Sequence, residues 1–336
     1  VHAAFKTIKS ATGAKYVLSD RYQGKNLLNL CATAFGTTAG WGVIGPVYNK
    51  ASDKFEYGPT TQNFKDFVSF LTQMVSEGLV DASSFTQQDD AAISAFGNGQ
   101  TYAISGNSQD PSQHRKLLDK SLGSGNYRIA KGILPGGPAG MIMGGNRLEN
   151  GIMITANALK SPNFVAMMQF IDWLWYSDAG EEFAKWGVEG VTFNKDASGK
   201  RTLAPDVDYI GLNPTGTKKL NVDFGFSGGN FAYGGSTELI QSMMAEEEKQ
   251  WQQRMAAERK QVELPPPYPF TDVEREQATL LSTPLQDYSD QNTLKFITGQ
   301  RPLNEWDAFL KELQAKSLGQ YMDMVNKAYQ RYKTTK

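Results

Sequence analysis

Helical and extended patterns alternate along this chain, which is typical of the α/β class. Short apolar runs bounded by turn residues predict strands at 48–49, 55–57, 101–104, 127–134 and 151–155. Apolar residues at three- and four-residue spacing predict helices at 3–8, 64–75, 92–96, 162–175, 178–186, 236–260, from 271 onwards, 286–297, 303–316 and 318–332. We expect the first two strands to form a hairpin whose tip is 50–54.

The helix that follows Ser161 is apolar on most of its sides. Ser161 is a good N-cap residue, and Pro162 suits the first position of a helix. The apolar positions are Phe164, Val165, Met167, Met168, Phe170, Ile171, Trp173, Leu174 and Trp175. Because a helix that is apolar all round is normally buried, we expect deep packing here, with Trp173 and Trp175 in the core.

Length and charge narrow the class of protein. A chain of 336 residues is longer than one hydrophobic core usually supports, so two lobes are expected. Hydrophobic residues make up 40% and charged residues 21%, as in ordinary globular proteins. With 34 basic and 35 acidic residues there is no positive excess to neutralise a phosphate backbone, so we expect no nucleic-acid partner. No run reaches the roughly 18 apolar residues of a membrane span.

Cys31 is the only cysteine, which excludes an intrachain disulfide and a cysteine-based zinc site. The run 27–31 slightly resembles a lipoprotein cleavage site but lacks the preceding basic and long apolar stretches. We therefore interpret Cys31 as a small buried residue. The sequence has no initiator Met, and we expect either a processed chain or an absent leading part.

Signals for catalysis are weak. His114 lies in a polar run and is expected at the surface, and no metal-ligand spacing or phosphate-cradling loop is present, so we expect no metal and no cofactor. Two carboxylate pairs, Asp89 with Asp90 and Glu181 with Glu182, are expected to be solvated. Because neighbours in sequence do not face each other, a glycosidase is disfavoured but stays open as the alternative.

A binding constellation is the stronger signal. Trp41 lies between Gly40 and Gly42, where core packing is a poor explanation and stacking on a sugar ring a good one. Sugar sites combine aromatic faces with a few polar groups. Further candidates are Phe226, Asn230 and Tyr233 in a Gly-rich segment, Asn107 and Gln109 after a predicted strand, and Arg147 and Glu149 in a second Gly-rich loop.

Three stretches of the chain have a familiar order and spacing. They comprise Tyr57–Thr61, Glu77–Asp81 and Phe85–Ala92; Ile152–Thr155, Lys160–Pro162, Phe170–Trp175 and Gly187–Val191; and Phe296–Gly299, Trp306–Asp307 and Ala328–Tyr332. In these the chain resembles family 1 extracellular solute-binding proteins of ABC importers, in the branch of large oligosaccharide-binding lipoproteins that includes alginate-oligosaccharide binders. The resemblance covers nearly the whole chain.

The resemblance implies a two-lobed α/β periplasmic-binding-protein fold, type II-like, with a hinge, an interlobe cleft and extra C-terminal helices. It assigns 1–145 mostly to the second lobe and 146–200 to the first. The rest, 201–336, becomes a cleft segment and C-terminal helices spanning both lobes. It also implies that a front part of the family pattern is missing here. Some relatives carry an acidic calcium loop where 7–16 has no carboxylate, so we expect no calcium there.

The same resemblance implies a function. The protein would be a monomeric receptor, lipid-anchored outside the cell or periplasmic, that binds an oligosaccharide and delivers it to ABC permease subunits without enzymatic activity. Phe226, Tyr233 and Asn107 match segments that line the sugar cleft in relatives, and Trp186 is expected to pack rather than stack on sugar. A glycan-active enzyme, a receptor for a peptide or polyamine, and an inactive lobe fragment stay open as alternatives.

Overall fold

The computed structural model describes residues 1–145, 151–228 and 230–335, without the side chain of Asn230. The chain divides into two compact units, each built from separate stretches of sequence. Unit 1 comprises Val1–Gly106, His114–Gly145 and Ala256–Lys336, and unit 2 comprises Asn107–Gln113 and Asn146–Met255. The chain thus crosses to unit 2 briefly after Gly106, returning at His114, and again after Gly145, returning at Ala256. The assignment of sequence ranges to particular lobes of the family fold stays a prediction.

Helices dominate the described residues. They are α1 His2–Thr12, α2 Lys25–Ala34, α3 Gln62–Ser76, α4 Asp89–Gly97, α5 Asp110–Leu122, α6 Phe164–Tyr176, α7 Asp178–Trp186, α8 Leu220–Asp223, α9 Thr237–Ser242, α10 Glu246–Glu258, α11 Asp272–Ile297, α12 Trp306–Ala315 and α13 Leu318–Thr334. The strands are β1 Pro46–Asn49, β2 Lys54–Tyr57, β3 Ile142–Met143, β4 Phe193–Lys195, β5 Arg201–Leu203, β6 Val207–Asp208, β7 Lys218–Lys219 and β8 Lys260–Gln261. They pair as β1–β2 and β4–β5 antiparallel, and as β3–β8 and β6–β7 parallel.

Several predicted elements differ from the structure. The stretch 236–260 is not one helix, because α9 ends at Ser242 and α10 begins at Glu246. The stretches 127–134 and 151–155 form no strand, and 101–104 contributes one parallel bridge, from Ala103 to Leu18. An apolar run of this length forms a strand only where a neighbouring extended segment pairs with its backbone N–H and C=O groups.

A short parallel arrangement lies inside unit 1. Leu18 bridges Val80 on one side and Ala103 on the other. The amide of Asp81 donates to the Leu18 carbonyl (2.8 Å), and the amide of Tyr102 donates to the Val17 carbonyl (2.8 Å). The loops at 19–22, 81–85 and 104–106 therefore follow neighbouring extended segments, where α/β folds commonly place ligand groups.

The core of unit 1 is formed by α2 and α3 together with the three C-terminal helices α11, α12 and α13. Of Thr60 and Thr61, both of which could cap α3 by residue type, the structure uses Thr61, which accepts from the Phe64 amide; Thr271 forms a capping box with Glu274 at the start of α11. Fully buried side chains fill the space between these helices, among them Phe64, Phe67, Leu71, Leu285, Phe296, Phe309 and Leu313.

The predicted hairpin is present, with Pro46 opposite Tyr57 and Asn49 opposite Lys54. Just beyond its paired residues, the Gly58 amide donates to the Gly45 carbonyl (2.9 Å). The hairpin therefore fixes the end of the loop that carries Trp41.

Unit 2 has a smaller core of its own. Trp186, at the end of α7, is 2% exposed and lies 5.6 Å from Phe193, measured between ring centroids. Its indole Nε1–H donates to Ser242 Oγ (3.1 Å). Trp186 therefore packs within unit 2, as the packing interpretation expected, and its one polar atom has a partner.

Three expectations about burial are wrong. Helix α6 is not deeply packed: Phe170 is 53% and Trp173 38% exposed, although Leu174 is buried. His114 is not at the surface: it is 4% exposed, and its ring packs on that of Phe96. Cys31 is not fully buried as a residue, since it lies partly exposed at the edge of the unit 1 core, although burial of its thiol group raises the pKa of that thiol. No helix in the described part of the chain combines the length and apolar character that a membrane crossing requires.

Candidate ligand-binding site

An exposed aromatic pair lies at the surface of unit 1. Trp41 sits in a short 3₁₀ helix, Gly40–Gly42, and its side chain is 55% exposed. The edge of Tyr22 meets the indole, with 6.1 Å between ring centroids and 61° between ring planes. The ammonium of Lys25 lies 5.2 Å from the Trp41 ring centroid, within cation–π range. One aromatic surface is thus buttressed and still open to solvent.

The glycines around Trp41 have a steric cause. Gly40 has φ +65°, and a Cβ there would lie 2.1 Å from the Lys25 carbonyl oxygen and 2.9 Å from Leu28 Cβ. A Cβ at Gly42 would lie 2.7 Å from Asn29 Oδ1. Only glycine lets the backbone of this loop lie directly on α2. The flanking glycines that made Trp41 a candidate therefore hold its loop close to the helix.

Tyr22 is held by an unusual backbone. Tyr22 and Gln23 have φ of 56° and 52°, which bulky residues rarely adopt. The amide of Tyr22 donates to Asp89 Oδ1 (2.7 Å), and the Arg21 guanidinium lies 4.8 Å from the Tyr22 ring centroid. Val43, just after the Trp41 loop, also has a positive φ of 38°. Strained backbone of this kind clusters at functional sites and persists only where surrounding contacts impose it.

A buried polar anchor supports the Tyr22 loop. Asp20 is fully buried; its carboxylate Oδ1 accepts from the Ser105 amide (2.8 Å), and its own amide donates to Ser84 Oγ (2.8 Å). Arg21 Nη2 donates to the Ser105 carbonyl (2.9 Å). The loops at 19–22, 81–85 and 104–106 are thereby tied together, so the aromatic pair rests on a hydrogen-bonded base.

Asn107 and Gln109 form a turn before α5. The Gln109 amide donates to Asn107 Oδ1 (2.8 Å), and the Asn107 amide donates to Asp110 Oδ2 (2.6 Å). The side chain of Asn107 is exposed and that of Gln109 partly so. The Asn107 side-chain oxygen is therefore used locally, while its amide group can donate to a ligand.

Phe226 and Tyr233 have different surroundings within unit 2. Phe226 packs edge to face on Phe183 (5.1 Å between centroids), and a Cβ on Gly187 would reach within 2.6 Å of its ring. Phe226 is partly buried, whereas Tyr233 is 41% exposed. Lys185 of α7 donates from Nζ to the Ala232 carbonyl and so holds the turn beside Tyr233. Of these two candidates, Tyr233 offers the freer ring.

The structure does not describe the side chains of three other candidate ligand-binding residues. Arg147 and Glu149 lie outside the described residues, and so does the side chain of Asn230. Trp41 belongs to unit 1, whereas Asn107, Gln109, Phe226 and Tyr233 belong to unit 2. The ligand roles of all eight residues stay predictions.

Glu182 does not have the character of a catalytic acid. Glu182 is not solvated, because Lys195 Nζ lies 2.6 Å from Oε1 and Arg201 Nε 2.6 Å from Oε2. Burial raises the pKa of Glu182, but the two cations outweigh it and the pKa lies below its ordinary value. Asp89 is only partly exposed and accepts from the Tyr22 amide. A general acid needs a raised pKa, which Glu182 lacks.

Within the described residues, no group of three or more His, Cys, Asp or Glu side chains lies close enough together to hold a metal ion. The expectation of no metal site stays a prediction.

The sequence analysis did not identify Tyr22 and Lys25 as candidates. The sequence signal was the turn at Gln23–Gly24 directly before the first residue of α2.

Comparisons with solved structures agree with this architecture. The chain superposes on the crystal structure of the alginate-binding protein AlgQ2 without calcium ion, with a TM-score of 0.71 and 16% sequence identity. The match covers 98% of this chain and 67% of AlgQ2. An HMO-binding solute-binding protein associated with an ABC transporter, from Bifidobacterium longum infantis, matches over 95% of this chain and 65% of its own, with a TM-score of 0.55 at 16% identity.

A third structure is the S. pneumoniae ABC-transporter substrate-binding protein FusA in complex with kestose. It matches over 92% of this chain and 61% of its own, with a TM-score of 0.51 at 17% identity. No protein-family model and no curated sequence matches the chain. The 336 residues therefore have the fold of ABC-transporter solute-binding proteins, over roughly two thirds of the length of these three structures.

Proposed function

We propose that this chain captures an oligosaccharide outside the membrane, as the solute-binding component of an ABC importer, and breaks no bond. The exposed ring of Trp41, buttressed by Tyr22 and fixed by Gly40, carries the proposal. Sugar rings present CH groups on one face that pack well on an aromatic plane. A ring already held in place loses little conformational freedom when a sugar binds.

The comparisons support a carbohydrate ligand. AlgQ2 is described as alginate-binding, and FusA was solved with kestose. Both share this fold, and a fold by itself hosts many functions, so the argument for a sugar rests on the aromatic site. The permease partner, the extracellular or periplasmic location, the lipid anchor and the monomeric state belong to the same proposal.

The rival functions fit the described residues less well. A glycosidase needs two carboxyl groups facing one bond, and Glu182 is held ionised by its two cations. A polyamine receptor needs carboxylates near its aromatic rings. Two cations, Arg21 and Lys25, lie over the Tyr22 and Trp41 rings and would repel a polyamine that approached these faces.

A thermal-shift screen tests the proposal. The panel would contain neutral and uronic-acid oligosaccharides, their monosaccharides, a peptide mixture and spermidine. A ligand that binds only the folded protein adds about 2.7 kcal/mol of stability at a hundredfold excess over its Kd. We expect one oligosaccharide class to raise the Tm and its monosaccharide to do so less. A shift with spermidine or peptides alone, or chromatographic evidence of a cleaved sugar, would contradict the proposal.

A further inference from the structure

A cavity of about 480 Å³ lies in unit 1. Pockets for small molecules measure roughly 300–1,000 Å³, so this one suits a ligand of about the size of a monosaccharide. Its lining includes Lys15, Tyr16, Ser19, Asp81, Thr101 and Tyr102. Tyr22, Lys25 and Trp41 do not line it, so the cavity is separate from the aromatic surface proposed for the oligosaccharide.

Thr101 contributes a buried hydroxyl group to this cavity. The residue is 6% exposed, yet its Oγ1 has no hydrogen-bond partner among the described residues. A buried hydroxyl without a partner costs stability, and native proteins rarely leave one unless water or a ligand bonds to it. The missing partner therefore belongs in the cavity that Thr101 lines.

The carboxylate in the wall of the cavity is already engaged. Oδ1 of Asp81 accepts from the Ser83 amide (3.0 Å) and from Ser83 Oγ (2.6 Å), and Oδ2 accepts from Ser19 Oγ (3.1 Å). Ser19 Oγ in turn accepts from Gln87 Nε2 (2.9 Å). Because these donors occupy Asp81 and Ser19, the wall offers little to a cationic ligand.

Lys15 supplies a positive charge at the same cavity. Its ammonium lies 5.0 Å from the Tyr16 ring centroid, within cation–π range, and it forms no salt bridge within the described part of the chain. Tyr102, next to Thr101, is 46% exposed and offers a more open ring. Tyrosine rings pack well on the CH groups of a carbon skeleton. The cavity thus combines an ammonium, a spare hydroxyl and an aromatic wall.

We propose that this cavity is a second ligand site, which binds a hydroxylated monocarboxylic acid of about monosaccharide size. The carboxylate of the ligand pairs with Lys15, one of its hydroxyl groups bonds to Thr101 Oγ1, and its carbon skeleton packs on Tyr102. The inference rests on the cavity and its free polar groups, and not on the proposed oligosaccharide ligand.

Titration calorimetry with D-glucuronate and D-gluconate tests the site, with D-glucose as the neutral counterpart. We expect at least one acid to bind at least tenfold more tightly than glucose. Lys15→Met keeps most of the aliphatic stem and removes the charge, so it should weaken binding of the acid at least fivefold and leave that of glucose unchanged. Lys120→Met is the matched control, because Lys120 is an exposed lysine on α5 in the same unit. It should bind the acid like the wild type.

Thr101→Val tests the hydroxyl group. Valine has nearly the same shape, so removing a hydroxyl without a partner should keep the Tm of the free protein within about 1 °C or raise it, while the acid binds at least fivefold more weakly. Thr192→Val is the control, because Thr192 is fully buried and its Oγ1 donates to the Trp186 carbonyl (2.7 Å). That variant should have a lower Tm.

Four results would overturn the inference. They are no binding of either acid, equal binding of glucose and the acids, acid binding that neither Lys15→Met nor Thr101→Val weakens, and a clearly lower Tm of free Thr101→Val. Trp41→Ala separates the two sites, because it should keep the acid affinity of the wild type. If it abolished acid binding, the acid would bind at the aromatic surface, which would also overturn the inference.

Discussion

The indole of Trp41 and the phenol of Tyr22 meet edge to face, with 6.1 Å between ring centroids, although they are 19 positions apart in sequence. The contact exists because two backbone irregularities coincide. Tyr22 has a left-handed backbone conformation, and Gly40 lets the Trp41 loop lie on α2. The open face of Trp41 is therefore positioned before any ligand arrives.

Gly40→Ala tests the steric basis of that arrangement. The new Cβ would overlap the Lys25 carbonyl and occupy a left-handed backbone, so we expect the free energy of unfolding to fall by about 2 kcal/mol or more. Urea denaturation provides the measurement. Gly45→Ala is the control in the same loop, because a Cβ there meets nothing within 4 Å. Equal stability of the two variants would refute the close approach.

Asn107 is expected to have a structural role separable from any role in binding. Asn107→Ala removes the acceptor for the Gln109 amide and should cost about 1 kcal/mol of stability at the start of α5. Asn107→Ser retains an acceptor oxygen but loses the amide donors, so it should recover most of that stability. If the amide group donates to the sugar, both variants lose affinity in titration calorimetry. An alanine variant as stable as the wild type would rule out the turn.

Acid should weaken the contact between Glu274 on α11 and Arg331 on α13. The hydrogen bond from Arg331 (2.6 Å), followed by that from the Thr271 amide (2.8 Å), lowers the pKa of Glu274 to about 2. The pKa of Glu274 is therefore lower in the folded protein than in the unfolded chain, where it is about 4.3. The ionised carboxylate stabilises the folded protein above pH 4.3, and this stabilisation disappears as the pH falls towards 2.

Glu274→Gln should therefore be less stable than the wild type at pH 7, and the difference should shrink between pH 4.5 and 2.5. Thermal unfolding across this range measures it. Glu276→Gln, at an exposed position on the same helix, should show no such trend. A constant difference at all pH values would contradict the ion pair.

The thiol of Cys31 should be unreactive in the folded protein. Burial, and then the nearby charge of Asp20, raise its pKa to about 12, against about 8.5 for an unperturbed thiol. At pH 8 we expect reaction with Ellman's reagent at least a hundredfold slower in the native chain than in urea. Similar rates in both states would show that Cys31 is accessible.

The sequence predicted those features of the fold that depend on residues close together in the chain. The hairpin, a cap of α3 at Thr60 or Thr61, and a Trp41 outside the core follow from turn residues, capping preference and flanking glycines. The position of Tyr22 could not be predicted, because left-handed φ at Tyr22 and Gln23 is imposed by the Asp89 and Asp20 contacts from distant parts of the chain.

Burial was predicted less well, for a physical reason. Polar neighbours made His114 look exposed, yet His114 and Leu118 share one face of α5 and are both buried. Helix α6 is apolar on most of its sides, yet of its residues only Leu174 is buried, so an apolar pattern alone does not specify how deeply a helix packs. Strands at 127–134 and 151–155 failed similarly, because a strand requires a partner that local sequence does not specify.

Titration calorimetry with Trp41→Ala tests the central claim most directly, using the oligosaccharide that gives the largest thermal shift. Because Trp41 is 55% exposed, the variant should keep its Tm within about 2 °C while losing at least tenfold in affinity, or about 1.4 kcal/mol. Leu280→Ala, a change at a residue 76% exposed on α11, should bind like the wild type. Unchanged affinity in Trp41→Ala, or no binding of any oligosaccharide by the wild type, would contradict the assignment of this surface as a sugar site.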